Sequence, residues 1–253
     1  MSDATGRTAI ITGAASERGI GRALAERLAA TGWHLGLLDV DAEVGRVASG
    51  LASAHDVSAL GAIADIADPD AVDAAVSTFE ENLPPAAALV NIAGISSPLP
   101  LVEVDLATWE RVMRINATGT FVTCKRVIPG LVERGYGRVV NLGSTAMQNG
   151  GGTYSKSTYA ASKGAIEGLS RALALEVAPH GVTVNVVAPA TIDTDIMGGR
   201  ITEARKPGFL AQLPVGRLGT TGEVAALVEF LIGEDAGYIT GATYNINGGI
   251  RIG

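Results

Sequence analysis

Residues 12–21 read TGAASERGIG, directly behind the apolar run Thr8–Ile11 and directly ahead of an alanine- and leucine-rich stretch of helical character. A strand, a glycine turn and a helix in that order make a site for an anion, because the first N–H groups of a helix lack intrahelical partners and carry the positive end of its dipole. Gly13, Gly19 and Gly21 permit close approach of a ligand to the backbone, and Ile20 opens the helix between the last two. Gly13 lies six residues ahead of Gly19, which is wide for a nucleotide turn. Taken alone, the pattern equally describes a plain tight turn.

Asp39 shifts that balance. It closes the run HLGLLD eighteen residues after Gly21, near the ~20-residue offset at which an acidic side chain accepts hydrogen bonds from an adenosine ribose. Capping the next helix is its competing role. A carboxylate there repels a 2′-phosphate, which favours NAD(H) over NADP(H). Arg18 argues for the opposite preference, since a guanidinium beside the ribose pairs with that phosphate. With Glu17 next to it in an enlarged loop, Arg18 is expected to point to solvent or to Glu17, so NAD is the expected cofactor and NADP the less favoured one.

Around this turn, runs rich in β-branched residues or leucine alternate with alanine-rich helical segments, at 7–12, 32–39, 60–65, 88–91, 138–142, 182–188 and 242–245. The alternation predicts an α/β fold, a single domain over residues 1–253. Its core is a doubly wound, parallel, seven-stranded sheet of Rossmann-like type with helices on both faces. Ligands in such sheets lie at the carboxyl ends of the strands, beside the point where strand order reverses. The least regular stretch, 197–219, contains MGGR and KPGF and follows a strand end, where a substrate lid is expected.

Composition narrows the partners. Apolar residues make up 47% of the 253, charged residues 18%, and the formal charge is −7, with no basic stripe to meet nucleic acid or an anionic membrane. A small-molecule partner is expected instead. No apolar run approaches the ~18 residues of a membrane span, and the opening residues MSDATGR lack a basic-then-apolar leader, so a cytoplasmic protein is expected. Cys124 is the single cysteine and His34, His55 and His180 are scattered, so no metal site is expected.

The stretch STYAASKG places Tyr159 and Lys163 four residues apart, on one face of a helix. A free tyrosine titrates near ~10 and is a poor base at neutral pH. A neighbouring ammonium stabilises the phenolate and makes the pair an acid/base for an alcohol proton. Ser144, close behind the strand RVVNL, can hydrogen-bond a reacting oxygen. Singly, Ser144 reads as a strand-end cap and Asn116 in RINATGTF as a helix-interior asparagine.

With these motifs in place, the chain resembles the short-chain dehydrogenase/reductase family from near Arg7 to Gly249, through TGAASERGIG, LLD at Asp39, ADI at Asp65, NIAG at Asn91, RINATGTF, NLGS, YAASK, VVAPATIDT at Pro189 and INGG. The resemblance implies that Tyr159 is the general acid/base and that Lys163 lowers its pKa and holds the nicotinamide ribose. It implies that Ser144 orients the substrate oxygen and that Asn116 positions a water in a proton relay behind Lys163. By the same likeness Asp65 and Ile66 border the adenine, Asn91, Ala93 and Gly94 line the cofactor, and Pro189, Ile192 and Thr194 bound its carboxamide end.

The chain departs from the family pattern in three places. Its glycine loop is longer by two residues, Ala190 stands where glycine is usual after the proline, and extra length in MQNGGGTYSKS separates Ser144 from Tyr159. That last loop passes over the reacting carbon and is expected to shape the substrate pocket. Comparable spacing among polyol dehydrogenases favours a secondary alcohol or ketone substrate, such as a polyol, sugar or hydroxy acid derivative. The alternatives are an NADPH-linked 3-oxoacyl carrier-protein reductase, which LPVGRLGTTGEVA and NINGG also resemble, and a non-catalytic NAD(H)-sensing regulator. The resemblance further implies a homo-oligomer, dimer or tetramer, packed through the helices around Asn116 and Tyr159.

Overall fold

The structure, a computed structural model, describes residues 6–152 and 155–252. Residues 1–5, which hold most of the opening segment read for targeting, lie outside the described residues, as do Thr153 and Tyr154 in the expected substrate loop and Gly253.

Seven strands, β1 (Thr8–Thr12), β2 (His34–Asp39), β3 (Ala59–Ile63), β4 (Ala86–Asn91), β5 (Gly137–Leu142), β6 (Val182–Pro189) and β7 (Thr243–Ile246), form one sheet in the order β3-β2-β1-β4-β5-β6-β7. Every pairing is parallel. The strands are buried on both faces where they are most apolar, as in TAIIT and VTVNVVAP. Strand order reverses between β1 and β4, which opens the crevice of a doubly wound sheet there.

Helices α1 (Ile20–Ala30), α2 (Glu43–Ala54) and α9 (Thr221–Ile232) cover one face, packing Leu24, Leu28, Val47, Val224 and Val228 into the core. On the other face α3 (Pro69–Asn82), α5 (Gly119–Glu133) and α7 (Ser157–Val177) bury Val72, Phe79, Val127, Leu131 and Val177. Helix starts follow local chemistry. Asp68 accepts hydrogen bonds from Asp70 and Ala71 N–H ahead of Pro69, and Thr220 and Glu223 form a reciprocal capping box before α9.

Between α4 (Leu106–Met113) and α5 one π turn, Arg114–Thr118, inserts an extra residue into the helical ladder at Asn116. A four-residue α6 (Ala146–Asn149) follows β5. The irregular segment after β6 contains a short turn at Asp195–Met197 and α8 (Lys206–Leu210). It leaves and rejoins the sheet edge at one place, because Ile192 bridges to Gly219, whose N–H donates to the Thr191 carbonyl at 3.1 Å. Among the described residues no helix is long and apolar enough to cross a membrane.

Candidate active site

The carboxyl ends of β1, β2 and β4 meet the start of α1. Thr12 Oγ1 accepts hydrogen bonds from the N–H groups of Ile92 and Ala93 at 3.0 and 3.2 Å, which holds the residues after β4 against the turn. Gly13 has a φ of +75°, and a Cβ there would lie 2.8 Å from Ala93 Cα. A Cβ on Gly21 would lie 2.2 Å from the Gly13 carbonyl oxygen. Both glycines are therefore required by the fit of turn, strand and helix to one another. The two extra residues fold into a tight turn in which Gly19 N–H donates to the Ser16 carbonyl at 2.9 Å. Gly19 then caps α1 with no side-chain hydrogen bond, so no side chain occupies the helix start.

Asp39 sits at the head of the crevice, its Oδ2 accepting from Ala15 N–H at 2.9 Å and its Oδ1 from Asp41 N–H at 3.1 Å. Each oxygen retains a lone pair for a ribose hydroxyl. Below it runs a cleft of about 360 Å³ walled by Gly13, Gly19, Ile20, Asp39, Asp65 and Ile66 on one side and by Ala93, Gly94 and Thr194 on the other. Asp65 accepts from Ala67 N–H at 2.9 Å and pairs with Arg114 at 2.5 Å.

A second cavity of about 100 Å³ shares Ile20, Leu142 and Thr194 with that cleft and is bounded by Ser144, Tyr159, Pro189 and Ile192. Tyr159 and Lys163 project from the first two turns of α7, and Lys163 Nζ lies 5.8 Å from the centre of the Tyr159 ring. Lys163 Nζ also donates to the Leu142 carbonyl at 2.7 Å. A Cβ on Gly94 would fall 3.0 Å from Asn116 Oδ1 and 3.6 Å from Lys163 Nζ, so Gly94, Asn116 and Lys163 converge on one point.

The structure adds detail at four of the expected positions. First, burial pushes the Tyr159 phenol up to about 12 in the cofactor-free protein, and the Ser144 hydrogen bond offsets part of that. Burial pushes the Lys163 ammonium down to about 8. Tyr159 is therefore a neutral phenol at neutral pH in the cofactor-free protein.

Second, the Asn91 side chain lies in the sheet core. Its Nδ2 donates to Asn141 Oδ1 and its Oδ1 accepts from Thr123, both at 2.8 Å, and Asn141 Nδ2 in turn donates to Ser170. Asn91 thus clamps β4 to β5 and to α5 beneath the cofactor floor.

Third, the Asn116 side chain bonds the backbone of Ile95, from whose N–H Oδ1 accepts at 2.8 Å and to whose carbonyl Nδ2 donates at 2.9 Å, and Nδ2 donates also to Ser162 Oγ at 2.9 Å. It fixes the segment after Gly94 to α7. Fourth, Arg18 points neither to solvent nor to Glu17. It pairs with Asp193 at 2.6 Å and with Asp195 at 2.8 Å, on the far side of the cleft.

Residues 13–251 match the family model described as Enoyl-(Acyl carrier protein) reductase. The chain is 34% identical over 248 residues to an uncharacterized short-chain type dehydrogenase/reductase of Sinorhizobium fredii, covering 98% of each. This chain belongs to the short-chain dehydrogenase/reductase family. Other relatives in the family include the 3-oxoacyl-[acyl-carrier-protein] reductase of Escherichia coli K12, 36% identical over 247 residues and 97% of each chain. The crystal structure of a 3-oxoacyl-[acyl-carrier protein] reductase with bound NAD from Brucella melitensis superposes with a TM-score of 0.89 at 32% identity, covering 98% of this chain and 92% of that one.

As a short-chain dehydrogenase/reductase the protein is an oxidoreductase of CH–OH and C=O groups, served by a nicotinamide cofactor. The glycine cradle, the start of α1 free of a side-chain cap and the lining of the cleft fit such a dinucleotide. The sensing alternative gives way to this enzyme assignment.

Proposed function

We propose that this short-chain dehydrogenase/reductase interconverts a hydroxyl-rich secondary alcohol and its ketone with NAD(H). The observation that carries the cofactor choice is Asp39, a carboxylate fixed by two N–H groups at the head of the cleft, where it accepts from a ribose diol and repels a 2′-phosphate. Arg18, the cation that would answer that phosphate, is held by Asp193 and Asp195. A solved relative with NAD bound is consistent with the same preference.

The cofactor, when bound, supplies or accepts the hydride. Tyr159 exchanges the hydroxyl proton, and Ser144 hydrogen-bonds the reacting oxygen beside it. Lys163 places positive charge under the phenol and reaches the ribose, with Asn116 holding the wall at Gly94. Gly13, Gly19, Ile20 and Gly21 receive the pyrophosphate, Asp65 and Ile66 the adenine, and Ala93, Gly94, Pro189, Ile192 and Thr194 the nicotinamide half.

Beyond Ser144 a further cavity of about 100 Å³ sets the hydroxyls and carboxamides of Thr145, Asn149, Ser155, Thr191 and Gln212 among the apolar Ala146, Ala190, Phe209 and Ile250. That lining favours a polyol or sugar over an acyl chain. The 3-oxoacyl thioester reading draws on the names of relatives near 36% identity. Arg126 on α5, a basic residue near the central helices, is held by Asp73 and Glu80 and so is engaged within the chain. The irregular segment 197–219 then acts as the substrate lid. Exposed Leu101, Val102, Leu106, Phe121 and Leu175 around α4, α5 and α7 favour a homo-oligomer, read by light scattering as two or four chain masses.

Steady-state assays over polyols, sugars, hydroxy acids and 3-oxoacyl thioesters, each with NAD(H) and NADP(H), test the reading. Highest kcat/KM on a polyol or sugar with NAD⁺ is expected. A strong NADPH preference with a thioester contradicts it.

A further inference from the structure

The two residues that enlarge the glycine loop include a cation whose partners lie 175 and 177 positions away in the chain. Arg18 Nη2 donates to Asp193 Oδ1 at 2.6 Å and to the Asp193 carbonyl at 3.3 Å, and Nη1 donates to Asp195 Oδ1 at 2.8 Å. Ser16 Oγ donates to Asp195 Oδ2 at 3.1 Å. Asp193 Oδ1 also accepts from Ile201 N–H at 3.1 Å, which ties the start of the irregular segment into the same cluster. Thr194, between the two aspartates, is buried and forms a wall of both the long cleft and the cavity at Tyr159.

These contacts span the cleft mouth. One bank is the turn that cradles the pyrophosphate; the other is the strand end that meets the nicotinamide. Half-exposed ion pairs are individually weak and screened by salt, so a cluster of this kind can part without unfolding the chain. It is a fastener that must part for a bound dinucleotide to leave.

Resting on the nicotinamide-cofactor reading above, we infer that Arg18 is a positioning residue that clasps the glycine loop to Asp193 and Asp195 and so governs how fast the cofactor is released. Arg18 acts through the two aspartates, and they hold Thr194 in place against the nicotinamide end.

The test uses the full-length protein with Arg18→Ala, with Asp193→Asn plus Asp195→Asn, with all three changes together, and with Arg18→Lys. Stopped-flow fluorescence gives the NADH dissociation rate, and hydrogen exchange on the cofactor-free protein follows residues 194–201. The expected result is release about 10-fold faster for Arg18→Ala, equivalent to ~1.4 kcal/mol, with faster exchange at 194–201. The aspartate double variant is expected to match it, the triple variant to add nothing further, and Arg18→Lys to recover part of the effect.

Unchanged exchange at 194–201 in Arg18→Ala overturns the inference. So does a triple variant whose effect is the sum of the others, since that result assigns Arg18 to direct contact with the cofactor. Failure of the wild-type protein to bind either nicotinamide cofactor overturns the functional reading instead, and the exchange arm then still decides whether the clasp exists.

Discussion

Asp39 and Ala15 are joined across the head of the cleft: the carboxylate at the end of β2 accepts the Ala15 N–H of the glycine loop at 2.9 Å. One side chain therefore both shapes the glycine turn and, in the function proposed above, sets the charge that a ribose meets. The two tasks separate in part under substitution, because a carboxamide keeps one acceptor, for Ala15 N–H, drops the charge, and gives up the bond from Asp41 N–H.

Asp39→Asn is accordingly expected to retain the fold and NAD(H) turnover within a few-fold while the NAD(H)/NADP(H) ratio of kcat/KM falls by about tenfold or more, the scale of one lost repulsion. Paired steady-state kinetics measure this. An unchanged ratio contradicts the role given to Asp39.

Gly21 is fixed by packing, since a Cβ would meet the Gly13 carbonyl at 2.2 Å. Gly21→Ala is expected to cost about 2–3 kcal/mol, as over-packing does, and to weaken NADH binding by displacing the turn. A Cβ on Gly50 of α2 would meet no neighbouring atom within 4 Å, so Gly50→Ala is expected to raise stability slightly. Urea unfolding of both variants checks the contrast.

The buried ammonium of Lys163 makes the stability of the cofactor-free protein depend on pH. Its pKa falls from the ordinary 10.5 to about 8 on folding, through burial. Below pH 8 the lysine is charged in both folded and unfolded chains, and the full cost of burying it is present. Between 8 and 10.5 the folded chain has released the proton that the unfolded chain still holds, so stability rises with pH there. Relative to Lys163→Met, wild type is expected to gain ~2 kcal/mol between pH 7.5 and 9.5. Tyr159 is common to both proteins and differs between folded and unfolded chains only above its ordinary 10. A difference that stays flat with pH contradicts a buried Lys163 charge.

Much of the architecture is legible from hydrophobic pattern alone. Each expected strand falls within two residues of an observed one; the central strands are buried on both faces and so read as continuous apolar runs, while the edge strands β3 and β7 are partly exposed. The shifts have local causes: Gly32, expected in β2, has a φ of +85° and closes the turn after α1, and Asp65 lies just past β3. What sequence spacing does not reveal is pairing over long separations. Arg18 finds Asp193 and Asp195 across the cleft, and Asn91 finds Asn141 and Thr123 in the core, through contacts that only the assembled sheet creates. The π turn at Asn116 and the raised Tyr159 pKa are likewise products of packing and burial. The asparagines in ALVN and RVVN, inside otherwise apolar runs, are the sequence signal from which the core network could have been found.

The claim on which the rest depends is that Tyr159 carries the proton. It is tested most directly by Tyr159→Phe, measured for alcohol oxidation with NAD⁺ alongside NADH binding by fluorescence. The account predicts that kcat falls by about 10²–10⁴-fold, the range for loss of a general acid/base, while NADH affinity stays within a few-fold of wild type. A variant that binds NADH and retains most of its turnover would contradict it.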